Sequence, residues 1–133
     1  IDWATAGRSI SIRQPPGERN ALGHIKFMFP NEHAVYLHDT PSRGLFANAY
    51  RAYSHGCVRV QNPFKLAEMV LGQNWSEGRL RSMVGSGERT INLTNDVSVH
   101  IAYFTLEENA EGALVRYNDL YGHQRRLRGL LGL

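Results

Sequence analysis

The sequence contains a single cysteine, Cys57, among 133 residues, and this scarcity excludes an internal disulfide. It also lacks any run approaching the roughly 20 consecutive apolar residues of a membrane-spanning helix. No basic start with an apolar run follows Ile1, so we expect any signal or anchor to lie outside these residues. The length and the 42% hydrophobic fraction predict one globular domain over residues 1–133.

The charge is only mildly unbalanced, with a net charge of +3 and a pI of about 9.3. Such a balance favours an anionic partner without naming one. The basic cluster at residues 125–128 is interspersed with leucines, which is typical of the solvated face of a terminal helix. No nucleic-acid-binding motif accompanies it, so we expect no nucleic-acid partner.

The surroundings of Cys57 are those of a reactive thiol. A free thiol has a pKa of about 8.5 and needs a neighbouring base to become a good nucleophile. His55 is two residues away, where side chains on an extended segment stand roughly 7 Å apart, too far for a direct hydrogen bond. His38 is followed by fifteen residues before Ser54, enough to leave one strand and return beside it. We therefore predict His38 as the general base and His55 as a neighbouring or substrate-facing group.

Gly56 precedes the cysteine and allows the backbone to bend closely. We expect backbone N–H groups around Gly56 and Cys57 to form an oxyanion hole. Asp39 follows His38 directly, but neighbours on a strand point to opposite faces. A backbone carbonyl is therefore the alternative for orienting the ring of His38.

Three further residues are candidates for the site. Tyr36 shares a strand face with His38 and suits a substrate wall, although a half-buried structural tyrosine is equally compatible. Arg59 suits either a bidentate contact to a substrate carboxylate or a lock on the nearby loop through backbone carbonyls, and we favour the lock. Asn62 precedes Pro63 and is predicted as a side-chain N-cap of a helix whose positive end lies near the cysteine.

Hydrophobic patterning predicts a mainly β fold with flanking helices, an α+β class. Predicted strands cover residues 9–13, 25–29 (buried on both faces), 34–38, 90–93, 97–106 and 113–117. Predicted helices cover residues 63–72, 76–84 and 119–133.

The stretch from His38 to Asn62 resembles the signature of the YkuD family, the L,D-transpeptidase catalytic domain. That signature is a histidine, about fifteen residues, then Ser or Thr before His-Gly-Cys, a hydrophobic residue and Arg or Asn. Here the sequence reads Ser54-His55-Gly56-Cys57-Val58-Arg59. The flanking YLHDTP and PPGERNALG segments are similar to the periplasmic, YcbB-like branch of the family, and the likeness covers most of the chain.

The resemblance implies a mixed β-sheet or sandwich domain with further strands upstream of Ile10, so we expect this chain to be part of a longer protein. It implies that Cys57 attacks a peptidoglycan tetrapeptide stem, releases D-Ala and passes the acyl group to another stem as a 3→3 cross-link. His38 would be the base, His55, Gly56 and Ser54 would shape the oxyanion site, and Arg59 would be the motif arginine. It also implies a cell-envelope or periplasmic location and acylation by carbapenems.

Other interpretations stay open at this point. Five possible zinc ligands are present, but HExxH, CxxC and close His-x-His patterns are missing, so we expect neither a metal nor another cofactor. A non-catalytic wall-binding relative is a second alternative, which the combination of His38, Gly56 and Cys57 disfavours. Within enzymes, water could resolve the same thioester, giving an L,D-carboxypeptidase or endopeptidase.

Overall fold

The structure is a computed structural model that describes residue 7, residues 10–11 and residues 13–133. The described residues fall into two compact units, which divide between Val97 and Ser98. The predicted strand over residues 9–13 includes Ser9 and Ile12, which lie outside the described residues.

The first unit is built on a mixed sheet of short strands. Within the described chain its order is β1 (Lys26–Phe27), β2 (Leu37–His38) and β3 (Val58–Arg59), with β2 in the centre. Strands β1 and β2 are antiparallel, whereas β2 and β3 are parallel. Parallel neighbours need a crossover, and residues 39–57 supply it, with a 3₁₀ helix at Arg43–Ala47.

Two helices follow β3 and carry the core of this unit. Helix α1 (Pro63–Leu71) ends at Gly72, and helix α2 (Glu77–Ser82) begins after Ser76, whose hydroxyl accepts a hydrogen bond from the Arg79 N–H at 3.2 Å. Both helices were predicted from their apolar spacing. The core residues are Phe64, Ala67 and Leu80, against which Ile25, Phe27, Leu71 and Trp75 pack.

Helix α1 begins after Asn62, as predicted, but the expected side-chain cap was wrong. The Asn62 side chain makes no capping hydrogen bond. Its backbone carbonyl accepts the first hydrogen bond of the helix, from the Leu66 N–H at 3.0 Å, as in any helix. Pro63 occupies the first turn, where a missing N–H costs no hydrogen bond.

The prediction that residues 25–29 are buried on both faces was also wrong. Ile25 and Phe27 pack on the helical core, whereas Lys26 and Met28 on the opposite face are exposed. Alternation is expected of a strand whose sheet is covered on one side only. The helices therefore cover the face of the sheet that carries Phe27. His38, the register partner of Lys26, belongs to the opposite face.

The second unit contains a hairpin of β4 (Leu106–Glu108) and β5 (Leu114–Arg116), followed by helix α3 (His123–Leu130). The return strand was predicted. The helix begins later than the predicted residue 119, because Gly122 adopts a left-handed conformation with φ of 70° at the N-cap. The Asp119 carboxylate accepts from the Arg125 N–H at 2.9 Å, which fixes the preceding turn.

The predicted strand pair over residues 90–93 and 97–106 was wrong apart from Leu106. Among the described residues of this stretch, Ile91, Val97, Val99 and Ile101 are exposed. An alternating apolar pattern stabilises a strand only when one face is covered, and in the described part of the chain these side chains are left exposed. The α+β class is nevertheless confirmed, with a mixed sheet, an antiparallel hairpin and three helices among the described residues.

None of the helices in the described residues is long and apolar enough to cross a lipid bilayer.

Candidate active site

The parallel pairing of β2 with β3 places the histidine strand beside the cysteine strand. Leu37 is the register partner of Val58, and His38 is the partner of Arg59. The Val58 N–H donates to the Tyr36 carbonyl at 2.9 Å, which continues the ladder towards the turn. Register partners point to the same face of a sheet, so His38 and Arg59 share the face away from the helices.

Cys57 lies immediately before β3, and its side chain is half-buried. Extending the side-chain alternation by one residue puts Cys57 on the same face as Arg59 and therefore on that of His38. Cys57 therefore takes the position diagonal to His38 across the two strands, one residue before β3 begins. Diagonal positions of a sheet are about 7–8 Å apart, so the pairing makes the two residues near neighbours.

The ring of His38 is held by the backbone of the next residue. His38 is buried, and its Nδ1 lies 2.5 Å from the carbonyl oxygen of Asp39. A carbonyl can only accept, so Nδ1 carries the proton and Nε2 is left with its lone pair. This contact confirms the interpretation that a backbone carbonyl, rather than the Asp39 carboxylate, orients the ring.

The turn that presents Cys57 consists of exposed residues. Gly56 has a φ of 145°, a conformation restricted almost entirely to glycine. The Ser54 hydroxyl accepts a long hydrogen bond of 3.4 Å from the Gly56 N–H, so Ser54 braces the turn. His55 is exposed on the same turn.

Arg59 contacts the loop that leads to the cysteine. Its guanidinium donates to the Tyr53 carbonyl at 3.2 Å. The Tyr53 hydroxyl in turn accepts from the Asn48 amide at 2.9 Å, and the Arg51 side chain donates to the Asn48 carbonyl at 2.9 Å. This contact agrees with the interpretation that Arg59 locks the loop.

Tyr36 is half-buried, and the ammonium of Lys26 lies 3.7 Å from the centre of its ring. Lys26 is the antiparallel partner of His38 and shares its face. The face that carries His38 therefore also carries a cation stacked on an aromatic ring. Asn62 is exposed at the start of α1.

The sequence did not indicate the buried carboxylate beside this site. The Asp39 side chain is fully buried, and its Oδ2 accepts from both the backbone N–H of His24, at 2.9 Å, and the Nδ1 of His24, at 3.0 Å. Its Oδ1 accepts from the Thr40 N–H at 2.7 Å and from the Arg43 guanidinium at 3.4 Å. The Arg43 side chain, although about half exposed, is paired with this carboxylate.

These contacts set the charge state of Asp39. Burial alone would raise the pKa of Asp39, but the hydrogen bonds from His24 and Thr40 and the charge of Arg43 outweigh it. The pKa of Asp39 consequently lies below its ordinary value of 3.8. Glu18 extends the network, since its carboxylate lies 3.2 Å from Arg43 and 3.9 Å from His24.

Within the described part of the chain, no three histidine, cysteine or acidic side chains lie close enough together to hold a metal ion. Two of the histidines of the first unit make hydrogen bonds with different groups: His38 bonds a carbonyl, and His24 bonds a carboxylate.

Two comparisons with known proteins show the family of this chain. The family model described as the L,D-transpeptidase catalytic domain, YkuD, matches residues 2–101. A protein of Haemophilus influenzae named "Putative L,D-transpeptidase" is 39% identical over 132 residues, which cover 96% of this chain. The chain spans 26%, about a quarter, of the length of that curated relative. The chain belongs to the YkuD family of L,D-transpeptidase catalytic domains.

Proposed function

We propose that this chain is the catalytic domain of a peptidoglycan L,D-transpeptidase that uses Cys57 as its nucleophile and His38 as its general base. The observation that supports it most is the hydrogen bond from His38 Nδ1 to the Asp39 carbonyl, because it leaves Nε2 free to accept a proton. The parallel pairing of β2 with β3 brings that histidine strand beside the cysteine. Family membership supplies the class of substrate.

The first half-reaction is acylation of the thiol. His38 Nε2 accepts the proton of Cys57, and the sulfur attacks the carbonyl of the L-centre of the diamino acid in a tetrapeptide stem. A carbon–sulfur bond forms, the carbon–nitrogen bond to D-Ala breaks, and the imidazolium returns its proton to the departing D-Ala amine. The product is a thioester on Cys57.

The second half-reaction transfers the acyl group. The side-chain amine of a second stem attacks the thioester, His38 takes the amine proton, and the carbon–sulfur bond breaks. The proton returns to the Cys57 sulfur, and a 3→3 cross-link is formed. Water in place of the amine would give the carboxypeptidase or endopeptidase reaction through the same steps.

Backbone N–H groups around Gly56 and Cys57 are proposed to stabilise the oxyanion of both half-reactions. The Gly56 conformation, with φ of 145°, supports this role because it bends the chain just before the nucleophile. Ser54 braces this turn through its hydroxyl, and His55 would stand beside the substrate.

The substrate is a peptide rich in carboxylates. Tyr36 is proposed as a wall of its cleft, and the cation of Lys26 stacked on that ring supports an anionic ligand there. Arg59 is proposed to hold the loop beside the cleft, with a carboxylate contact as the alternative, and Asn62 is proposed to contact the stem from the start of α1. The enzyme would act in the cell envelope, specifically the periplasm, and would be acylated by carbapenems.

Incubation of the protein with a disaccharide tetrapeptide, followed by liquid chromatography and mass spectrometry, tests this proposal. Release of D-Ala together with a cross-linked dimer is the expected result, and Cys57→Ala should abolish both products. Formation of the tripeptide without the dimer would show that the enzyme is a hydrolase rather than a transferase. The absence of both products would contradict an L,D-transpeptidase.

A further inference from the structure

Asp39 accepts hydrogen bonds through two different groups, and one of them contacts His38, the candidate base. Its backbone carbonyl accepts the Nδ1 proton of His38, and its side-chain carboxylate accepts the hydrogen bonds of His24, Thr40 and Arg43. Because both groups belong to one residue, the position of the carboxylate limits the position of the carbonyl. A displacement of the carboxylate would therefore move the carbonyl and change its hydrogen bond with the His38 imidazole.

Hydrogen bonds fix the peptide groups on both sides of Asp39. The N–H of Asp39 donates to the Ile25 carbonyl at 2.8 Å, which fixes the peptide before it. The Thr40 N–H donates to Oδ1, which fixes the peptide after it, and this second peptide carries the carbonyl that His38 contacts. The acceptor of the His38 proton is thus held by its own residue's carboxylate.

The remaining partners come from distant parts of the chain. His24 follows Gly23, where a Cβ atom would overlap the Asp39 carboxylate, so the two segments are in close contact. Arg43 begins the 3₁₀ helix of the crossover and reaches both Asp39, at 3.4 Å, and Glu18, at 3.2 Å. Charged hydrogen bonds of this kind are stronger and more directional than neutral ones.

We propose that Asp39 is a positioning residue whose buried carboxylate, held by His24, Thr40 and Arg43, fixes the carbonyl that keeps His38 in the tautomer with Nε2 unprotonated. The inference rests on the proposed function for its consequence, which is faster acylation of Cys57. Its structural half, the tautomer of His38, stands without any enzymatic activity. Arg43 and its Glu18 partner complete the network.

The tautomer is measured directly by long-range ¹H–¹⁵N spectra of protein labelled in its histidine rings. The His38 signals are assigned by their loss in His38→Gln. In the parent, we expect the Nδ1-protonated form alone, and in Asp39→Asn we expect a substantial population of the Nε2-protonated form. An Nε2-protonated His38 in the parent, or an unchanged tautomer in Asp39→Asn, would overturn the proposal.

Acylation of the thiol by a carbapenem supplies the functional readout. Asp39→Asn should slow it by about 10-fold, less than the loss from removing the base itself, which is typically ~100-fold or more. A parent that shows the expected tautomer but no acylation would contradict the proposed function while leaving the positioning intact. The positioning of His38 and the proposed enzymatic function are therefore tested separately.

A milder variant covers the case in which Asp39→Asn does not fold. Arg43→Gln removes one donor to the carboxylate and should slow acylation by about 3-fold, with a partial shift of the His38 tautomer. Lys65→Gln is the control, because it breaks an ion pair of similar length on helix α1, with Glu68 at 3.5 Å, that does not include Asp39. Equal behaviour of Arg43→Gln and Lys65→Gln in both measurements would overturn the proposal.

Discussion

Gly23 lies against the side chain of Asp39 so closely that a Cβ atom on Gly23 would sit 2.6 Å from the Asp39 Cβ and overlap its carboxylate. The backbone of Gly23 also has a φ of 61°, which disfavours any residue with a side chain. The loop before β1 therefore packs directly against Asp39, the residue that follows the candidate base.

Gly23→Ala should therefore destabilise the protein by about 2–4 kcal/mol, from the left-handed backbone and the overlap with a buried group. Urea unfolding followed by circular dichroism measures the change. Gly44→Ala is the control, since a Cβ there meets no atom within 4 Å, and we expect a change within about 0.5 kcal/mol. Equal stability of the two variants would show that the close contact with Asp39 is absent.

The lowered pKa of Asp39 predicts a loss of stability in acid. Because the carboxylate binds protons less readily in the folded than in the unfolded state, its contribution is present above the ordinary value of 3.8 and is lost as the pH falls through the lower, folded-state pKa. Urea unfolding at a series of pH values should show a shallower acid decline for Asp39→Asn than for the parent.

Asp119→Asn serves as the comparison for that measurement. Hydrogen bonds, first that from the Arg125 backbone, outweigh the effect of burial and lower the pKa of Asp119, but this carboxylate is on the surface of the other unit. We expect it to change the acid decline less than Asp39→Asn does. Parallel pH profiles for the parent and Asp39→Asn would contradict the assigned hydrogen bonds.

Replacing His38 and His55 one at a time shows which of the two histidines is the general base. His38→Gln should slow carbapenem acylation of Cys57 by ~100-fold or more, since glutamine cannot take the thiol proton. His55→Gln, on the exposed turn, should cost less than about 10-fold. Stopped-flow or quenched mass measurements give both rates, and the reverse order would assign the base to His55.

Arg59→Gln should loosen the loop over residues 48–53. The guanidinium loses its hydrogen bond to the Tyr53 carbonyl, and Arg51 within this exposed loop is a site for trypsin. We expect cleavage after Arg51 to be several-fold faster than in the parent. An unchanged cleavage rate with a raised KM for the tetrapeptide would instead favour Arg59 as a carboxylate contact.

The sequence predicted the parts of the site that depend on local spacing. The interval between His38 and Ser54 was enough to predict two neighbouring strands, and the structure pairs β2 with β3 in parallel. The opposite orientation of neighbouring strand side chains predicted a backbone carbonyl as the partner of His38. Helices α1 and α2 followed from apolar periodicity and terminal residues.

The parts that failed depend on distant contacts. Asp39 bonds His24, fifteen residues away in sequence, and no local pattern marks such a pair. One local prediction also failed: the Asn62 side chain was expected to cap α1, but it makes no capping hydrogen bond. The alternating run near residue 97 predicts a strand only if something covers it, and the sequence does not show what lies above a strand.

Intact-protein mass spectrometry after incubation with a carbapenem tests whether Cys57 is an activated thiol in an assembled site. The parent should gain one inhibitor mass per chain, and Cys57→Ala should gain none. Peptide mapping should place the adduct on Cys57. An adduct on both proteins, or on neither, would contradict the assignment of Cys57 as the nucleophile.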